Sequence, residues 1–285
     1  MTEVEAFVPA KVNLTLHVTG RRADGYHKID SLAVFADLGD HITITMPGDY
    51  RLSVEGPMKN GVPVDESNLV LRAARMMNIR ADFRLEKHLP SAAGLGGGSG
   101  DAAAVLRVMS GFSGRPIPET AIELGADLPL CLHGASARVS GIGDEVTPVP
   151  SLPSLPAVLV NPNQPVMTAE VFERLETRAN PAMPQDLPAF SDSADLVAWL
   201  REMRNDLQAP AIAIEPVISQ ILETLEKTPG CQLARMSGSG GTCFGIYQDT
   251  ETAAAAAGRL AETFPAWWVA DTVLNLPKRF SRSLS

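Results

Sequence analysis

The sequence has few of the residues that build disulfide-rich or zinc-binding proteins. Only three of its 285 residues are cysteines, and no two of them form a C-x-x-C pair. Neither a disulfide framework nor a zinc site is therefore indicated. No apolar run approaches the roughly 20 residues of a membrane-crossing helix, and no basic start with a following apolar run indicates a secretory signal. We expect a soluble protein of the reducing cytoplasm.

Positive charge is also scarce. The chain has 24 Lys and Arg against 33 Asp and Glu, a formal net charge of -9. This balance argues against a protein that binds nucleic-acid polymers or anionic membranes, so an anionic ligand must be met by local groups. The apolar fraction of 45% and the charged fraction of 20% are typical of folded globular proteins and exclude disordered, collagenous and coiled-coil classes.

The length favours two modest domains. Six prolines between residues 147 and 166 would interrupt helices there, and we place the boundary in this segment, with domains at residues 1–153 and 154–285. Both halves contain helix and strand patterns, which predicts an α+β fold. The predicted strands are 8–18, a pair at 40–46 and 50–55, 81–88, two around a glycine turn in 232–247, and 267–273. The predicted helices are 68–78, 102–109, 196–203, 216–227 and 251–263.

The first of these strands alternates apolar and polar residues over positions 8–18. Its polar face carries Lys11, Asn13, Thr15 and His17. This face either meets solvent or forms the wall of a site.

The most informative stretch is the glycine-rich segment that precedes the second predicted helix. Residues 90–101 read Pro-Ser-Ala-Ala-Gly-Leu-Gly-Gly-Gly-Ser-Gly-Asp, with five glycines between positions 94 and 100. Glycine lets backbone N–H groups approach an anion closely, and the following helix directs its positive dipole end to the same place. The segment therefore predicts a phosphate site. A Walker P-loop is excluded because no Gly-Lys-Ser/Thr follows, and a dinucleotide fingerprint at residues 98–103 is a weak match.

A third phosphate motif fits better. Pro90, Gly94, Leu95 and Gly96 resemble the phosphate loop of the GHMP kinase family, which includes galactokinase, homoserine kinase and mevalonate kinase. The longer run Gly-Leu-Gly-Gly-Gly-Ser resembles one branch of the family, whose substrate carries a cytidine diphosphate head. Residues 9–14 with 20–27, residues 125–129 and residues 236–245 resemble further motifs of that branch, in the expected order along the chain.

The resemblance implies a two-domain GHMP kinase fold with the active site in the interdomain cleft. It implies a small-molecule kinase that uses ATP as co-substrate with Mg²⁺ to phosphorylate the 2-hydroxyl of 4-diphosphocytidyl-2-C-methyl-D-erythritol, in non-mevalonate isoprenoid precursor biosynthesis. The alternatives are a GHMP-type kinase of another small alcohol of the homoserine or mevalonate class, and a non-catalytic nucleotide-binding module. A dinucleotide oxidoreductase is a more distant alternative.

The resemblance also assigns roles to residues. It implies Lys11 and Asp127 as the catalytic pair, with Asp127 either a true base or a positioning group. The substrate-binding residues it implies are Asn13, Tyr26, His27, Thr168 and Phe172. The ATP-binding residues are Asn68, Lys87, Pro90, Ser91, Ala92, Ala93, Gly94, Leu95, Gly96, Gly97, Gly98, Ser99 and Gly100.

One position departs from the family pattern. Members usually carry a second serine where this chain has Gly100 after Ser99, and a hydroxyl of this pair can help to hold magnesium or phosphate. The metal ligands are therefore unassigned. The basic and polar tail, residues 277–285, and the oligomeric state receive no assignment either.

Overall fold

One long strand joins the two halves of an α+β protein. The computed structural model describes residues 2–275, so the predicted tail at 277–285 lies outside the described residues. The strands are β1 (Thr2–Asn13), β2 (His17–Arg21), β3 (His27–Met46), β4 (Leu52–Glu55), β5 (Asp82–Glu86), β6 (Ala137–Ser140), β7 (Glu145–Pro148), β8 (Leu155–Asn161), β9 (Cys231–Met236), β10 (Cys243–Tyr247) and β11 (Trp268–Leu274). The helices are α1 (Leu69–Met77), α2 (Gly97–Ser113), α3 (Leu128–His133), α4 (Thr168–Glu173), α5 (Ser193–Arg201), α6 (Gln208–Ile214), α7 (Val217–Glu226) and α8 (Thr250–Thr263), with a 3-10 helix at Glu119–Leu124.

The strands form one continuous sheet whose main path is β4-β5-β3-β11-β8-β10-β9. Strands β1, β2 and β6 also pair with β3. Every one of these strand pairings is antiparallel except that of β4 with β5. The α+β prediction is confirmed.

Buried side chains lie in three large clusters along this sheet. The first packs α1 and α2 against β1, β3 and β5, and the third packs α7 and α8 against β8 and β10. The second contains side chains from both halves, among them Val12 and Val34 from one and Leu155 and Phe244 from the other. The apolar core is therefore continuous across residues 153 and 154, where the predicted boundary stays a prediction.

The strand predicted at residues 8–18 is two strands. β1 ends at Asn13 and β2 begins at His17. The polar face is not a solvent face, because Lys11, Asn13, Thr15 and His17 are at most 5% exposed. Lys11 and Asn13 of this face line a cleft, whereas Thr15 and His17 contact Met183 and Pro181 instead.

The predicted pairing of residues 40–46 with residues 50–55 is wrong. β5 lies between the two segments, antiparallel to β3 and parallel to β4. The turn at Gly48 packs against the start of β5, since a Cβ there would lie 2.3 Å from the Asp82 nitrogen. The side chains of Phe83 and Leu85 are buried, as expected for a central strand. Local turn residues do not predict β5, because this strand lies about 30 residues further along the chain.

Two further boundaries differ from the prediction. β8 lies inside the proline-rich segment, where we expected helices to be interrupted, and Pro156 is one of its residues. Helix α2 begins at Gly97 rather than Ala102, and its first turn packs closely on β1: a Cβ at Gly100 would lie 2.7 Å from Val8 Cγ1. The helices predicted around α1, α5, α7 and α8, and the strands around β5, β9, β10 and β11, are confirmed within a few residues.

Candidate active site

A cleft of about 1130 Å³ is lined by residues from both sides of the predicted boundary. We call lining residues 61–69 and 87–99, which include predicted ATP-binding residues, the nucleotide end, and lining residues 21–29 and 166–178, which include predicted substrate-binding residues, the substrate end. Lys11, Asn13 and Asp127 line the same cleft. The structure therefore brings the predicted catalytic pair and both predicted binding regions to one cleft.

Lys11 contacts several other residues that line this cleft. Its Nζ lies 3.1 Å from Asp127 Oδ2 and donates to Asn13 Oδ1 at 2.8 Å and to the Gly94 carbonyl at 3.4 Å. The Lys11 side chain is 4% exposed, whereas that of Asp127 is 41% exposed. A buried cation thus orients a carboxylate that stays open to the cleft, and Asp127, although it precedes α3, makes no side-chain capping bond.

Asn13 is held in turn by its neighbours. Its Nδ2 donates to Ser31 Oγ at 2.7 Å, and its backbone N–H donates to Ser237 Oγ at 3.0 Å. Both Asn13 and Ser31 are buried. The β1 residues that face the cleft are therefore fixed by hydrogen bonds from both halves of the chain.

Residues 90–100, here called the phosphate loop, rest on a second glycine loop at residues 237–242. Gly94 and Gly96 have φ of 72° and 68°, a region that favours glycine. A Cβ at Gly94 would lie 2.5 Å from the Ser237 carbonyl oxygen, so the two backbones touch directly. In the second loop, Gly238 and Gly240 also have positive φ, 59° and 98°.

A buried charge cluster lies beneath the phosphate loop. Lys87 Nζ is hydrogen-bonded to Asp40 Oδ2 and, at 3.0 Å, to Asp101 Oδ2. A Cβ at Gly97 would lie 3.3 Å from that ammonium nitrogen. The structure thus brings Lys87 to the loop, as predicted for an ATP-binding residue, but with its charge already compensated by two carboxylates.

The two carboxylates of this cluster have different environments. Asp40 Oδ1 accepts from the backbone N–H groups of His88 and Leu89 at 2.7 and 2.9 Å. Asp101 Oδ1 is buried without a hydrogen-bond partner. The pKa of Asp101 is raised to about 7, chiefly by burial; the charge of Lys87 opposes this rise and the charge of Asp40 adds to it.

The departure at position 100 has a packing explanation. Gly100 is buried, and a Cβ there would lie 2.7 Å from Val8 Cγ1, so a side chain at this position would point into the core. Ser99 instead lines the cleft, with its Oγ beside Gly125. Ser99 is therefore the hydroxyl of this pair that faces the ligand space, and a serine at position 100 would not reach it.

Not every predicted ATP-binding residue presents its side chain to the cleft. Leu95 is 1% exposed and belongs to the core, and neither it nor Gly100 lines the cleft. Asn68 lines the cleft, but its amide caps α1 by accepting from the Val70 N–H at 2.9 Å and donates to the Pro63 carbonyl. The remaining predicted residues of the phosphate loop line the cleft together.

The substrate end is aromatic. The rings of His27 and Phe172 are stacked, with centroids 4.9 Å apart and an interplanar angle of 17°. His27 Nε2 is buried without a hydrogen-bond partner, and burial, followed by the charges of Arg21 and Arg178, lowers the pKa of His27. A neutral imidazole with an uncommitted ring nitrogen can therefore meet the edge of a base.

Two other predicted substrate residues lie around this stack. Tyr26 is 63% exposed at the rim of the cleft. Thr168, the first residue of α4, shares a 2.8 Å hydrogen bond with Ser239 of the second glycine loop. All five residues predicted to bind substrate thus line the same cleft.

Several residues of the site had not been predicted. Asp40 and Asp101 flank Lys87, while Arg21 and Arg178 line the substrate end. Asp40 is 47 positions from Lys87, and no local motif marks it. Ser237 falls within residues 236–245, one of the motifs that resemble the family, and this motif was the sequence signal for its place in the site.

Residues 68–147 match the family of GHMP kinases N terminal domains, and residues 186–266 match GHMP kinases C terminal domains. A structure described as 4-(cytidine 5'-diphospho)-2C-methyl-D-erythritol kinase superposes with a TM-score of 0.77 and 31% identity, covering 96% of this chain and 100% of that one. A homoserine kinase structure from Cytophaga hutchinsonii, 15% identical with a TM-score of 0.65 over 100% of this chain and 98% of its own, shows the same fold. Fold and site thus define the class, a GHMP-type kinase.

Relatives that match most of the chain identify the branch of the GHMP kinase family. The chain is 52% identical to the 4-diphosphocytidyl-2-C-methyl-D-erythritol kinase of Dinoroseobacter shibae over 95% of each chain. It is also 52% identical to the kinase of the same name from Paracoccus denitrificans, over 92% of this chain and 93% of the relative. The chain therefore belongs to the GHMP kinase family, in its branch of 4-diphosphocytidyl-2-C-methyl-D-erythritol kinases, which confirms the resemblance noted in the sequence.

Proposed function

We propose that this protein transfers the γ-phosphoryl group of ATP to the 2-hydroxyl of 4-diphosphocytidyl-2-C-methyl-D-erythritol, a step of non-mevalonate isoprenoid precursor biosynthesis. The observation that carries the proposal is the Lys11–Asp127 pair, 3.1 Å apart, in one cleft with a phosphate loop and an aromatic stack. The named relatives support the same substrate.

Asp127 and Lys11 act on the hydroxyl that is phosphorylated. Phosphoryl transfer requires alignment of the attacking oxygen and neutralisation of charge on the transferring group. The exposed Asp127 carboxylate accepts the proton of the substrate hydroxyl, or positions that hydroxyl for attack. Lys11 holds the carboxylate in place, and because its Nζ also contacts the Gly94 carbonyl, it fixes the distance between the carboxylate and the phosphate loop.

The phosphate loop binds the ATP phosphates. The glycines at 94, 96, 97 and 98 leave backbone N–H groups open to an anion, and α2 begins within the loop, so its dipole favours negative charge there. The Ser99 hydroxyl adds a polar contact on the side of Gly125. Asn68 lies on the adenine side of this end, and Lys87, beneath the loop near Gly97, contributes positive charge toward the phosphates.

Magnesium fits the site as a companion of the nucleotide. Mg²⁺ is usually bound by one or two carboxylates together with substrate phosphates and water, and Asp127 supplies a partly exposed carboxylate beside the loop. When bound, the metal neutralises charge on the phosphates. The described residues contain no preformed cluster of three or more His, Cys, Asp or Glu that could hold a metal, which agrees with a metal that arrives with ATP.

The aromatic end binds the cytidine head. Tyr26 and Phe172 provide ring faces for stacking on a base, and His27 Nε2 is available for the pyrimidine edge. Asn13 and Thr168 line the same cleft, where they contact the erythritol and its phosphate. The His27–Phe172 stack would have to part or rotate to admit a base, since 4.9 Å between centroids leaves no room for a third ring.

ATP turnover on the cytidylyl substrate, measured beside its uridine analogue, tests the proposal. We expect turnover with the cytidylyl substrate and much weaker turnover with the uridine analogue. Efficient turnover of homoserine or mevalonate without competition by cytidine nucleotides would instead support a kinase of another small alcohol. Absence of ATP consumption with all of these would support a non-catalytic nucleotide-binding module.

The setting of the reaction follows from composition. We expect the protein to act in the cytoplasm on small molecules, without a membrane or nucleic-acid polymer as partner. Among residues 2–275, no helix combines the length and apolar character needed to cross a membrane.

A further inference from the structure

Among residues 2–275, four side chains of lysine and arginine line the cleft, and two of them have no anionic partner within 4.0 Å in this part of the chain. Lys11 pairs with Asp127, and Lys87 pairs with Asp40 and Asp101. Within residues 2–275, no ion pair within 4.0 Å involves the other two, Arg21 and Arg178. In a chain with a net charge of -9, two uncompensated arginines in one cleft indicate an anionic ligand at that place.

The two arginines flank the aromatic stack. Arg21 is the last residue of β2, and its Nε donates to the Gly25 carbonyl at 3.0 Å in the turn that leads to His27. Arg178 lies six residues after Phe172, and the backbone N–H of Asn180 donates to the Val18 carbonyl at 2.9 Å. This bond ties the Arg178 segment to β2, on which Arg21 also lies.

The electrostatics of His27 agree with this placement. Burial lowers the pKa of His27 the most, and the positive charges of Arg21 and Arg178 lower it further. Both guanidinium groups therefore lie within electrostatic range of the ring. A base that meets His27 would carry its 5′ substituent into the field of the same two cations.

We propose that Arg21 and Arg178 together bind the diphosphate group of the cytidine substrate and so select a nucleoside diphosphate over a bare nucleoside. This inference rests on the proposed function. A diphosphate diester carries two negative charges, and planar guanidinium groups bind phosphate oxygens through paired N–H bonds. Among the described residues that line the cleft, Lys11 and Lys87 are already paired with carboxylates, so Arg21 and Arg178 are the lysine and arginine side chains left to neutralise this group.

The test compares CDP and cytidine as competitors of the cytidylyl substrate. In the wild type, CDP should inhibit at a concentration at least tenfold lower than cytidine. Arg21→Gln and Arg178→Gln should each reduce that advantage, and the double variant should abolish it. KM for the cytidylyl substrate should rise about tenfold in each single variant, while KM for ATP stays within twofold of the wild-type value.

Three controls separate this role from a general one. Arg174→Gln removes an exposed arginine on the same segment that does not line the cleft, and it should leave the CDP advantage unchanged. Arg178→Lys should restore part of the advantage, since lysine keeps the charge and loses the planar pair of donors. Raising the salt concentration should weaken CDP binding in the wild type more steeply than in the double variant.

The outcomes distinguish a wrong assignment of the two arginines from a wrong proposed function. If the wild type phosphorylates the cytidylyl substrate and CDP keeps its advantage over cytidine in the double variant, the arginine assignment is wrong and the proposed function stands. An equal rise in the ATP KM would also overturn the assignment. If neither CDP nor cytidine competes in the wild type, the proposed function fails, and the assignment fails with it.

Discussion

The two ends of the cleft differ in how their cationic side chains are paired and exposed. At the nucleotide end, the cation Lys87 is buried between two carboxylates, and the ligand-facing groups are backbone amides of a glycine loop. At the substrate end, the arginines are exposed and form no ion pair within 4.0 Å among residues 2–275, and the rings of His27 and Phe172 are stacked. The nucleotide end is thus fixed before a ligand arrives, whereas the substrate end has charges and ring faces that a ligand must complete.

The largest effect is expected at the proposed catalytic pair. Asp127→Asn should reduce turnover on the order of 10²-fold or more, because the amide accepts no proton from the substrate hydroxyl, while ATP binding stays nearly unchanged. Steady-state kinetics and nucleotide titration measure the two quantities. Asp186→Asn, at an exposed aspartate outside the cleft, is the matched control. Unchanged turnover in the Asp127 variant would remove this residue from the catalytic pair.

The next effect should be confined to the substrate end. Phe172→Ala removes one ring of the stack and should raise KM for the cytidylyl substrate about tenfold, the scale of one base-aromatic contact. KM for ATP should not change, because Phe172 lies on α4, away from the phosphate loop. A parallel rise in both KM values would show that the ends are coupled, and the contrast between them would then be wrong.

The buried carboxyl of Asp101 at the nucleotide end should make the stability of the protein depend on pH. The Asp101 pKa is raised from 3.8 to about 7 in the folded protein, so between these values the folded state holds a proton that the unfolded state has released. Stability contributed by the protonated carboxyl is therefore lost as pH rises through this window. Asp101→Asn should flatten the melting temperature across about pH 4 to 7. A curve parallel to the wild type, or to Asp186→Asn, would contradict the shift.

The smallest effect on catalysis is expected at Gly100. Gly100→Ser should destabilise the protein by about 1–3 kcal/mol by overpacking against Val8, yet leave KM for ATP unchanged because the new side chain points into the core. Val8→Ala should recover much of the loss in the double variant, as measured by denaturant unfolding. A lower KM for ATP in Gly100→Ser would instead show that the hydroxyl reaches the phosphates.

Sequence alone predicted the parts of this molecule that local chemistry determines. The glycine loop, Lys11, Asp127 and His27 belong to contiguous motifs, and the structure brings them to one cleft. The pairing of β4 with β5 and the Asp40–Lys87 contact depend on segments about 30 and 47 residues apart. Residues that act through such distant contacts leave no local pattern, and Arg21 and Arg178 became visible only once the partners of the other cations were known.

Strand β3 has a consequence for substrate size. This one strand of 20 residues begins at His27, the stacking residue, and contains Asp40, which anchors Lys87 beneath the phosphate loop. The separation between the proposed base and phosphate subsites is therefore set by the number of residues in a single strand. Inserting or deleting one residue between these two positions would turn every later side chain to the opposite face. The length of β3 therefore determines which two ligands can bind in the cleft at the same time.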